Sequence, residues 1–347
     1  MPIRHLHCLL DPASVALIGA SDRPGSLGAA LALNLLACGF KGAVFPVNRL
    51  HRRVRDMPAY PHPSDLPSTP ELAIIATPTP TVPDLLAELG HQGTKVAVIA
   101  TPSQTQDIDE VRIFHHALRE AARPHGLRLL GPGSFGVIAP RCGLNASLGP
   151  ICPKPGPLAL IAPEGSLLTP IVEWATARGI GFSSIVALGE RSDLNFGDWL
   201  EGLSQDPDTR AILLLLETVG QARAFLSAAR AVARVKPVLV LRAGRGGDGA
   251  SQLVDALYDA AFRRAGMLRV QSLRDLFQAA EILALDPPVA GDRLAILGNG
   301  RGVGLLAADA LLAEGGRLAR LGPATERALR QVLPAGVAPA NPLDLGL

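Results

Sequence analysis

Short apolar runs alternate with helix-like segments along the chain up to Ile138. The runs are the length of β-strands, and the intervening segments repeat apolar residues at helical spacing. Such alternation is typical of a parallel sheet that helices cover on both faces. The predicted strands are Val15–Ile18, Ala43–Val47, Leu72–Ala76, Val96–Ala100 and Leu127–Leu130, and the predicted helices are Ala29–Ala37, Val82–Leu89 and Ile108–Arg123.

A proline- and glycine-rich segment, Gly149–Gly156, interrupts this alternation because neither helices nor strands tolerate its composition. The same pattern then restarts and predicts a second α/β domain. The predicted strands here are Leu158–Ala162, Ser184–Ala187, Ile212–Glu217 and Val238–Arg242, and the helices are Leu167–Ala177, Phe196–Leu203, Ala222–Val232, Leu253–Ala265 and Leu273–Leu283.

A second break, Asp286-Pro287-Pro288, precedes another predicted strand at Arg293–Leu297, a glycine-rich turn and a helix. Fewer residues follow this break than the ~100 that a complete doubly wound domain usually needs. The sequence therefore predicts an α/β fold with three domains, at residues 1–148, 157–286 and 291–347, of which the last is incomplete.

The segment Ser14–Gly28 combines an apolar strand, a turn of small residues and the start of a helix. Backbone N–H groups and the positive end of a helix dipole converge in such a turn, which makes it a site for a phosphate-bearing ligand. The carboxyl ends of the other predicted strands would lie on the same rim. They carry small, polar or proline-containing turns, at Pro46-Val47-Asn48, Thr77-Pro78-Thr79-Pro80, Thr101-Pro102-Ser103 and Gly131-Pro132-Gly133-Ser134.

This rim differs from that of an NAD domain in two respects. The full GxGxxG spacing is absent, and Asn48 stands where an acidic residue would bind the ribose hydroxyls. Four arginines follow Asn48, at Arg49, Arg52, Arg53 and Arg55. Basic residues there fit a phosphorylated ribose, as in NADP or coenzyme A, but a solvated loop explains them equally well.

Composition excludes several other classes of protein. The net charge is +2 and the arginines are scattered, so we expect no nucleic-acid partner. The apolar runs are far shorter than the ~20 residues of a membrane span. The four cysteines, Cys8, Cys38, Cys142 and Cys152, lack CxxC spacing, so we expect reduced thiols, no metal site and a cytoplasmic protein.

Several segments together resemble the ADP-forming acyl-CoA synthetases, which are relatives of succinyl-CoA synthetase. These segments are Pro12-Ala13-Ser14-Val15 with Gly19-Ala20-Ser21, Gly131-Pro132, Gly136-Val137-Ile138, Gly143-Leu144-Asn145-Ala146, Gly179-Ile180-Gly181-Phe182, Ala187-Leu188-Gly189 and Tyr258-Asp259-Ala260-Ala261-Phe262 with Ala265-Gly266. The resemblance covers nearly the whole chain in order. It implies a Rossmann-like CoA-binding domain followed by two flavodoxin-like domains, the second of which is incomplete here.

The resemblance also implies which ligand and partners the chain has. The ligand would be CoA or an acyl-CoA such as acetyl-CoA. The phosphates would contact Gly19, Ala20, Ser21, Ser26 and Gly28, the ribose end Asn48, the adenine side Thr77 and Pro78, and the approach to the thiol Ser134. A partner subunit, or downstream ATP-grasp and GNAT acetyltransferase domains, would complete the protein, and we expect an oligomer.

The sequence departs from this family at the residues of phosphoryl transfer. The family's mechanism uses a phosphohistidine, yet all eight histidines lie at or before His125. The segment from Arg245 to Tyr258 is shorter than in the family and lacks histidine. Glu164 occupies the turn that would receive phosphate, and Glu217 matches the carboxylate that would orient the missing histidine. Gly133 also replaces the family's asparagine near the thiol.

These departures predict a catalytically inactive, CoA-binding module that regulates a protein lysine acetyltransferase. The alternative is an active subunit of an ADP-forming acyl-CoA ligase, so whether the chain acts as an enzyme is left open by the sequence. A nicotinamide-dependent enzyme is a third possibility, against which Asn48 and the missing GxGxxG spacing both argue.

Overall fold

The computed structural model of the protein describes residues 5–244, 249–285, 291–334 and 336–345. The chain forms two compact units, Met1–Asp286 and Pro287–Leu347. Within these described ranges, no helix has both the length and the apolar character needed to cross a membrane. The break predicted at Asp286-Pro287-Pro288 lies outside the described residues.

The first sheet is five-stranded and parallel, in the order β2-β1-β5-β6-β7. Apart from Ser14, its central strands consist of Val, Ile, Leu and Ala residues that are buried on both faces, as the continuous apolar runs predict. The elements of this part of the chain are α1 (His7–Leu10), β1 (Ser14–Ile18), α2 (Leu27–Ala37), β2 (Ala43–Val47), β3 (Arg53–Val54), β4 (Met57–Pro58), β5 (Leu72–Ile75), α3 (Val82–Gln92), β6 (Val96–Ile99), α4 (Ile108–Ala122) and β7 (Arg128–Leu130).

The second sheet has seven strands in the order β14-β13-β12-β10-β11-β8-β9. Five of them are parallel, whereas β8 pairs antiparallel with both β11 and β9. The elements are β8 (Gly136–Ala139), β9 (Leu144–Ser147), β10 (Pro155–Ala162), α5 (Leu168–Ala177), β11 (Phe182–Ala187), α6 (Phe196–Gln205), β12 (Ala211–Leu216), α7 (Ala222–Val232), β13 (Val238–Arg242), α8 (Gly249–Ala265), β14 (Leu268–Val270) and α9 (Leu273–Leu285).

The hairpin formed by β8 and β9 precedes the proline-rich linker in sequence but belongs to the second sheet. The predicted domain boundary between residues 148 and 157 therefore does not separate the strands of the two sheets. Helix α2 of the first domain packs on β9, and the Asn34 side-chain amide donates a buried hydrogen bond of 2.7 Å to the Ser147 carbonyl oxygen. The hairpin thus contacts both domains.

The described residues of the second unit form four two-residue strands and two helices. Two strand pairs form, β15 with β17 and β16 with β18, both parallel. The Asn341 side chain connects these strands, because its amide donates to the carbonyl oxygens of Leu294 and Ala319 and its oxygen accepts from the Ile296 N–H. The elements are β15 (Arg293–Leu294), β16 (Leu297–Gly298), α10 (Arg301–Ala313), β17 (Arg317–Leu318), α11 (Pro323–Val332) and β18 (Leu343–Asp344).

The prediction of four reduced cysteines is wrong for two of them. Cys38 at the end of α2 and Cys152 in the linker form a disulfide, with their Cα atoms 5.5 Å apart. They are 114 residues apart in sequence, so their spacing along the chain gives no sign that the fold brings them together. Cys8 and Cys142 are free thiols.

Candidate functional site

The turn between β1 and α2 depends on two glycines that lie in contact. A Cβ atom on Gly28 would lie 2.0 Å from the Gly19 carbonyl oxygen. Gly19 has a φ of +84°, and a Cβ there would lie 2.9 Å from Cγ2 of Thr77. Only glycine at both positions lets the start of α2 approach the turn this closely. The structure thereby gives a local reason for two residues that the sequence predicts in the phosphate site.

The free N–H groups of this turn lie at the start of the helix rather than at the end of the strand. The N–H groups of Gly19 and Ala20 both donate to the Val47 carbonyl oxygen, at 3.0 and 3.1 Å. Ser26 caps α2 by accepting a hydrogen bond from the Ala29 N–H, at 3.2 Å. The N–H groups of Leu27 and Gly28 then have no acceptor among the described residues. These two donors, together with the helix dipole, form the candidate anion site.

Two serines of the predicted phosphate site shape this turn through their side chains. The Ser21 hydroxyl oxygen accepts a hydrogen bond from the Arg23 N–H at 3.0 Å. The Ser26 hydroxyl donates to the Arg23 carbonyl oxygen at 2.8 Å. Ala20 between the strand and the turn is fully buried. The turn is therefore held in one shape by its own side chains.

Asn48 connects the end of β2 to the glycine turn. Its amide donates a hydrogen bond of 2.7 Å to the Ala20 carbonyl oxygen. Its side-chain oxygen accepts from the N–H groups of Leu50 and His51, each at 2.8 Å. The side chain predicted to contact the ribose thus positions two loops of the rim. An Asp at this position would lack the amide donor to Ala20.

The arginines that follow Asn48 divide into two groups. Arg55 lies beside the glycine turn, where its Nε is 3.5 Å from a carboxylate oxygen of Asp22. Arg53 donates to the backbone carbonyl oxygen of Asp56. The side chains of Arg49 and Arg52 are exposed. These two arginines are the ones available to a phosphorylated ribose.

Thr77 and Pro78 follow β5, and Thr77 lies directly against the glycine turn. The Thr77 methyl group is the atom nearest to Gly19, and the Thr77 hydroxyl accepts from Thr81 at 2.9 Å. The Thr77 carbonyl oxygen accepts from the Thr101 hydroxyl at 2.8 Å, which connects the ends of β5 and β6. The structure therefore brings together on one rim all the residues predicted for the phosphate, ribose and adenine contacts.

Ser134, predicted at the approach to the thiol, is fully buried. Its hydroxyl donates to the Ala187 carbonyl oxygen at 2.6 Å and accepts from the Gly136 N–H at 3.0 Å. These contacts attach the turn after β7 to strand β11 of the second sheet. The side chain thus holds the two domains together and does not line the open part of the rim.

Glu190 is a rim residue that the sequence analysis does not identify. It follows β11, and its carboxylate accepts hydrogen bonds from the Ser103 N–H at 2.8 Å and from the Ser103 hydroxyl. His115 Nε2 lies 2.9 Å from the same carboxylate. Burial raises the pKa of Glu190, but the hydrogen bonds from His115 and Ser103 outweigh it, so the pKa lies below its ordinary value. The only sequence signal is its position next to Ala187-Leu188-Gly189.

A second cavity, of about 490 Å³, lies at the carboxyl ends of the second sheet, with Glu164, Glu217 and Arg242 among its lining residues. The Glu164 carboxylate accepts from the N–H and hydroxyl of Ser166, so it caps its own turn. The Arg242 guanidinium is buried, pairs with Asp255 at 2.8 Å and lies over the Tyr258 ring. The cavity therefore has two exposed carboxylates and a cation that already has a partner, which disfavours phosphate.

Comparison with known proteins identifies the family to which the chain belongs. A CoA binding domain matches residues 13–140, and a succinyl-CoA ligase like flavodoxin domain matches residues 155–283. The alpha subunit of acetate–CoA ligase [ADP-forming] I from Pyrococcus furiosus is 36% identical over 323 residues, which are 89% of this chain and 70% of that protein. The chain belongs to the ADP-forming acetate–CoA ligase family. The predicted fold class and a CoA-binding first domain are thereby confirmed.

Solved structures are also similar to this chain. Acetyl-coenzyme A synthetase 1 of Ca. Korarchaeum cryptofilum, described as dinucleotide-forming, has a TM-score of 0.86 and 32% identity, over 98% of this chain and 76% of that one. A structure of the same protein with phosphate and ADP also has a TM-score of 0.86. The chain spans about half of a longer relative, acetate–CoA ligase [ADP-forming] I of Archaeoglobus fulgidus, at 35% identity.

The segment that would carry the family's phosphohistidine falls partly outside the described residues, because these omit 245–248. The sequence itself has no histidine after His125. Glu217, the predicted remnant of the carboxylate partner, is exposed at the end of β12.

Proposed function

We propose that the chain is the CoA-binding module of an ADP-forming acyl-CoA ligase, comparable to the alpha subunits among its relatives. The observation that supports this most directly is the contact between Gly19 and Gly28 at the start of α2, where the N–H groups of Leu27 and Gly28 have no acceptor among the described residues. In a domain that matches the CoA-binding family, these groups would bind the pyrophosphate of CoA or acetyl-CoA.

The other predicted residues have distinct roles in this proposal. Ser21 and Ser26 keep the turn in shape, and Asn48 positions the loop that carries Arg49 and Arg52 near the ribose phosphate. Thr77 and Pro78 form the wall on the adenine side. Ser134 acts indirectly, because it fixes the turn after β7 against the second sheet near the end of the rim.

Isothermal titration calorimetry of the protein with CoA, acetyl-CoA and NADP tests this proposal. We expect saturable binding of CoA and acetyl-CoA and no heat from NADP. An Arg49→Ala/Arg52→Ala variant should weaken binding of CoA more than binding of dephospho-CoA, which lacks the ribose phosphate. Absence of CoA binding, or equal binding of NADP, would rule the proposal out.

For the complete protein we propose the ADP-forming acyl-CoA ligase reaction that the names of its relatives describe. Acyl-CoA, ADP and phosphate would give the carboxylic acid, CoA and ATP, together with a partner subunit. The 36% identity to a ligase alpha subunit favours this active form. In it the chain would supply the CoA site, and a phosphoryl carrier would have to come from outside residues 126–347, which contain no histidine.

A second candidate is an inactive, CoA-sensing module that regulates a protein lysine acetyltransferase carrying a GNAT domain. The missing histidine and the Glu164 carboxylate in the phosphate turn favour it. Incubation with γ-³²P-ATP, with and without a ligase beta subunit, separates the two candidates. Acid-labile label on either chain that requires both chains to be present supports the active ligase, whereas CoA binding without such label supports the sensing module.

A further inference from the structure

Three metal-ligating side chains meet near the beginning of the described residues. The donor atoms of His5, His7 and Cys8 all lie within 4.8 Å of one another. His7 Nε2 is 3.2 Å from Cys8 Sγ, and the two imidazole rings are 6.2 Å apart between centroids. This is the one such group of histidine, cysteine and carboxylate side chains found among the described residues. The sequence analysis does not find it because it relies on CxxC spacing.

The local backbone explains why these side chains converge. His5 has a φ of +68°, which turns the chain, and its carbonyl oxygen accepts a hydrogen bond from the Cys8 N–H at 3.0 Å. Cys8 and Leu9 are buried in the first-domain core and anchor the short helix α1. His7 is exposed. A buried sulfur is thus fixed below two imidazoles that are accessible from solvent.

The electrostatic surroundings of His7 favour a cation. His7 lines a cavity of about 670 Å³ whose other lining residues include Asp11, Glu201, Asp206 and Asp208. Arg141 also lines it and is paired with Asp208. Helix α6 ends at Gln205 in the same cavity, and the Lys236 ammonium caps this end by donating to the carbonyl oxygens of Leu203 and Asp206, so the negative charge of the cavity comes from its carboxylates. The cavity therefore has an excess of negative charge.

We propose that His5, His7 and Cys8 bind a divalent transition-metal ion of the zinc class. Two imidazole nitrogens and a thiolate suit zinc, whereas Mg²⁺ and Ca²⁺ prefer oxygen ligands. The metal displaces the thiol proton of Cys8 and takes one donor atom from each side chain. Three protein ligands leave the fourth tetrahedral position to water on the side of the acidic cavity. This site is separate from the rim proposed for CoA.

The test uses the full chain without a polyhistidine tag, after removal of metals with a chelator. We expect one Zn²⁺ per chain in competition with a chromogenic chelator. One equivalent of Co²⁺ should give the near-ultraviolet charge-transfer band of a Co²⁺–thiolate bond. His7→Ala should weaken Zn²⁺ binding at least about tenfold, because loss of even an outer partner of a metal site costs that much.

His91→Ala and Cys142→Ser are the matched controls, since one removes an exposed histidine and the other a free thiol outside the cluster. Both should bind Zn²⁺ as the natural protein does. Because Cys8 is buried, a Cys8→Ser variant would not separate loss of a ligand from loss of folding, so the thiolate band and the His7→Ala affinity decide the matter. Substoichiometric Zn²⁺, absence of the thiolate band, or an equal loss in His91→Ala would overturn the proposal.

Discussion

The contact between Gly19 and Gly28 shows how one missing side chain determines what the rim can bind. The start of α2 reaches the turn only because no Cβ separates the two backbones. The N–H groups of Leu27 and Gly28 have no acceptor among the described residues, while those of Gly19 and Ala20 are satisfied by the Val47 carbonyl oxygen. The close approach of the two backbones and the placement of the N–H groups at the start of α2 therefore both depend on Gly28 having no side chain.

Gly28→Ala should weaken CoA binding by about tenfold or more. The added Cβ would lie 2.0 Å from the Gly19 carbonyl oxygen, and overpacking of this kind costs ~1–3 kcal/mol. Calorimetric titration with CoA measures the effect. Gly220→Ala is the control, because a Cβ there meets no atom within 4 Å. Unchanged affinity in the Gly28 variant would contradict a pyrophosphate site at this turn.

Glu190→Gln should lower the free energy of unfolding by about 1–3 kcal/mol at neutral pH, since hydrogen bonds to a charged carboxylate are lost. The pKa of Glu190 is lower in the folded protein than its ordinary value of 4.5. Its stabilising contribution is therefore present above that value and is lost as the pH falls through the lowered pKa. Urea unfolding at several pH values should show the stabilities of the two proteins converging as the pH falls below 4.5 and through the lowered pKa of Glu190.

Glu120→Gln serves as the control for this comparison. The Glu120 carboxylate pairs with Arg123 at 3.3 Å on an exposed helix surface, and such pairs contribute little to stability. We expect no measurable change in its unfolding at either end of the pH range. A difference between the natural protein and Glu190→Gln that persists unchanged into acid would exclude the charged carboxylate as its cause.

At the scale of elements, helix α2 connects the candidate site to the rest of the first unit. Its first turn faces the rim, its middle packs on β9, and its last residues are joined to the linker by the Cys38–Cys152 disulfide. Asn34 adds a buried hydrogen bond to Ser147. The position of the helix N-terminus is therefore determined by contacts with residues more than a hundred positions away.

Removal of the disulfide by Cys152→Ser should lower the free energy of unfolding by about 2–5 kcal/mol under oxidising conditions. The bridge closes a segment with a sequence separation of 114, and long loops lose the most entropy when closed. Thermal unfolding with and without reductant provides the measurement. Cys142→Ser, which removes a free thiol, should respond to reductant as the natural protein does. A natural protein that is insensitive to reductant would argue against the bridge in solution.

The pattern of apolar residues predicts the strands and helices of the first unit well, because each is a local property of the sequence. The strand at Ala43–Val47 and the helix at Ala222–Val232 agree with the structure residue for residue. Contacts between segments that are distant in sequence could not be predicted from this pattern. The burial of Ser134, the carboxylate of Glu190 beside Ser103 and the Cys38–Cys152 bridge all depend on how the two domains meet. No local pattern reports that arrangement.

At the scale of the whole molecule, the two sheets of the first unit cannot be separated at the linker without damage. Strands β8 and β9 precede the linker, yet β8 pairs with β11 on the other side of it. The hydrophobic core likewise includes residues from both domains, such as Leu31, Val137 and Val186. The first unit is therefore a single body in which the two large sheets share a hydrophobic core.

A fragment of residues 1–148 should accordingly fail to form a soluble, cooperatively folded protein. It would retain β8 and β9 but lose β11, the other strand with which β8 pairs. The edge of β8 would then be exposed, and exposed strand edges promote aggregation. A fragment of residues 1–286 retains the whole compact unit and should fold. Circular dichroism and thermal melts of both fragments test this. Cooperative unfolding of the shorter fragment would show that the hairpin is dispensable.

The hairpin also limits how genes for such proteins can recombine. A crossover inside the proline-rich linker would exchange one predicted domain for another, but it would give each descendant a second sheet in which β8 and β9 come from a different parent than the other strands. The side chains that meet across β8 and β11, such as Val137 opposite Val186, would then have to fit by chance. Exchange is tolerated far better outside the unit than within it, so the two domains should be inherited as one block.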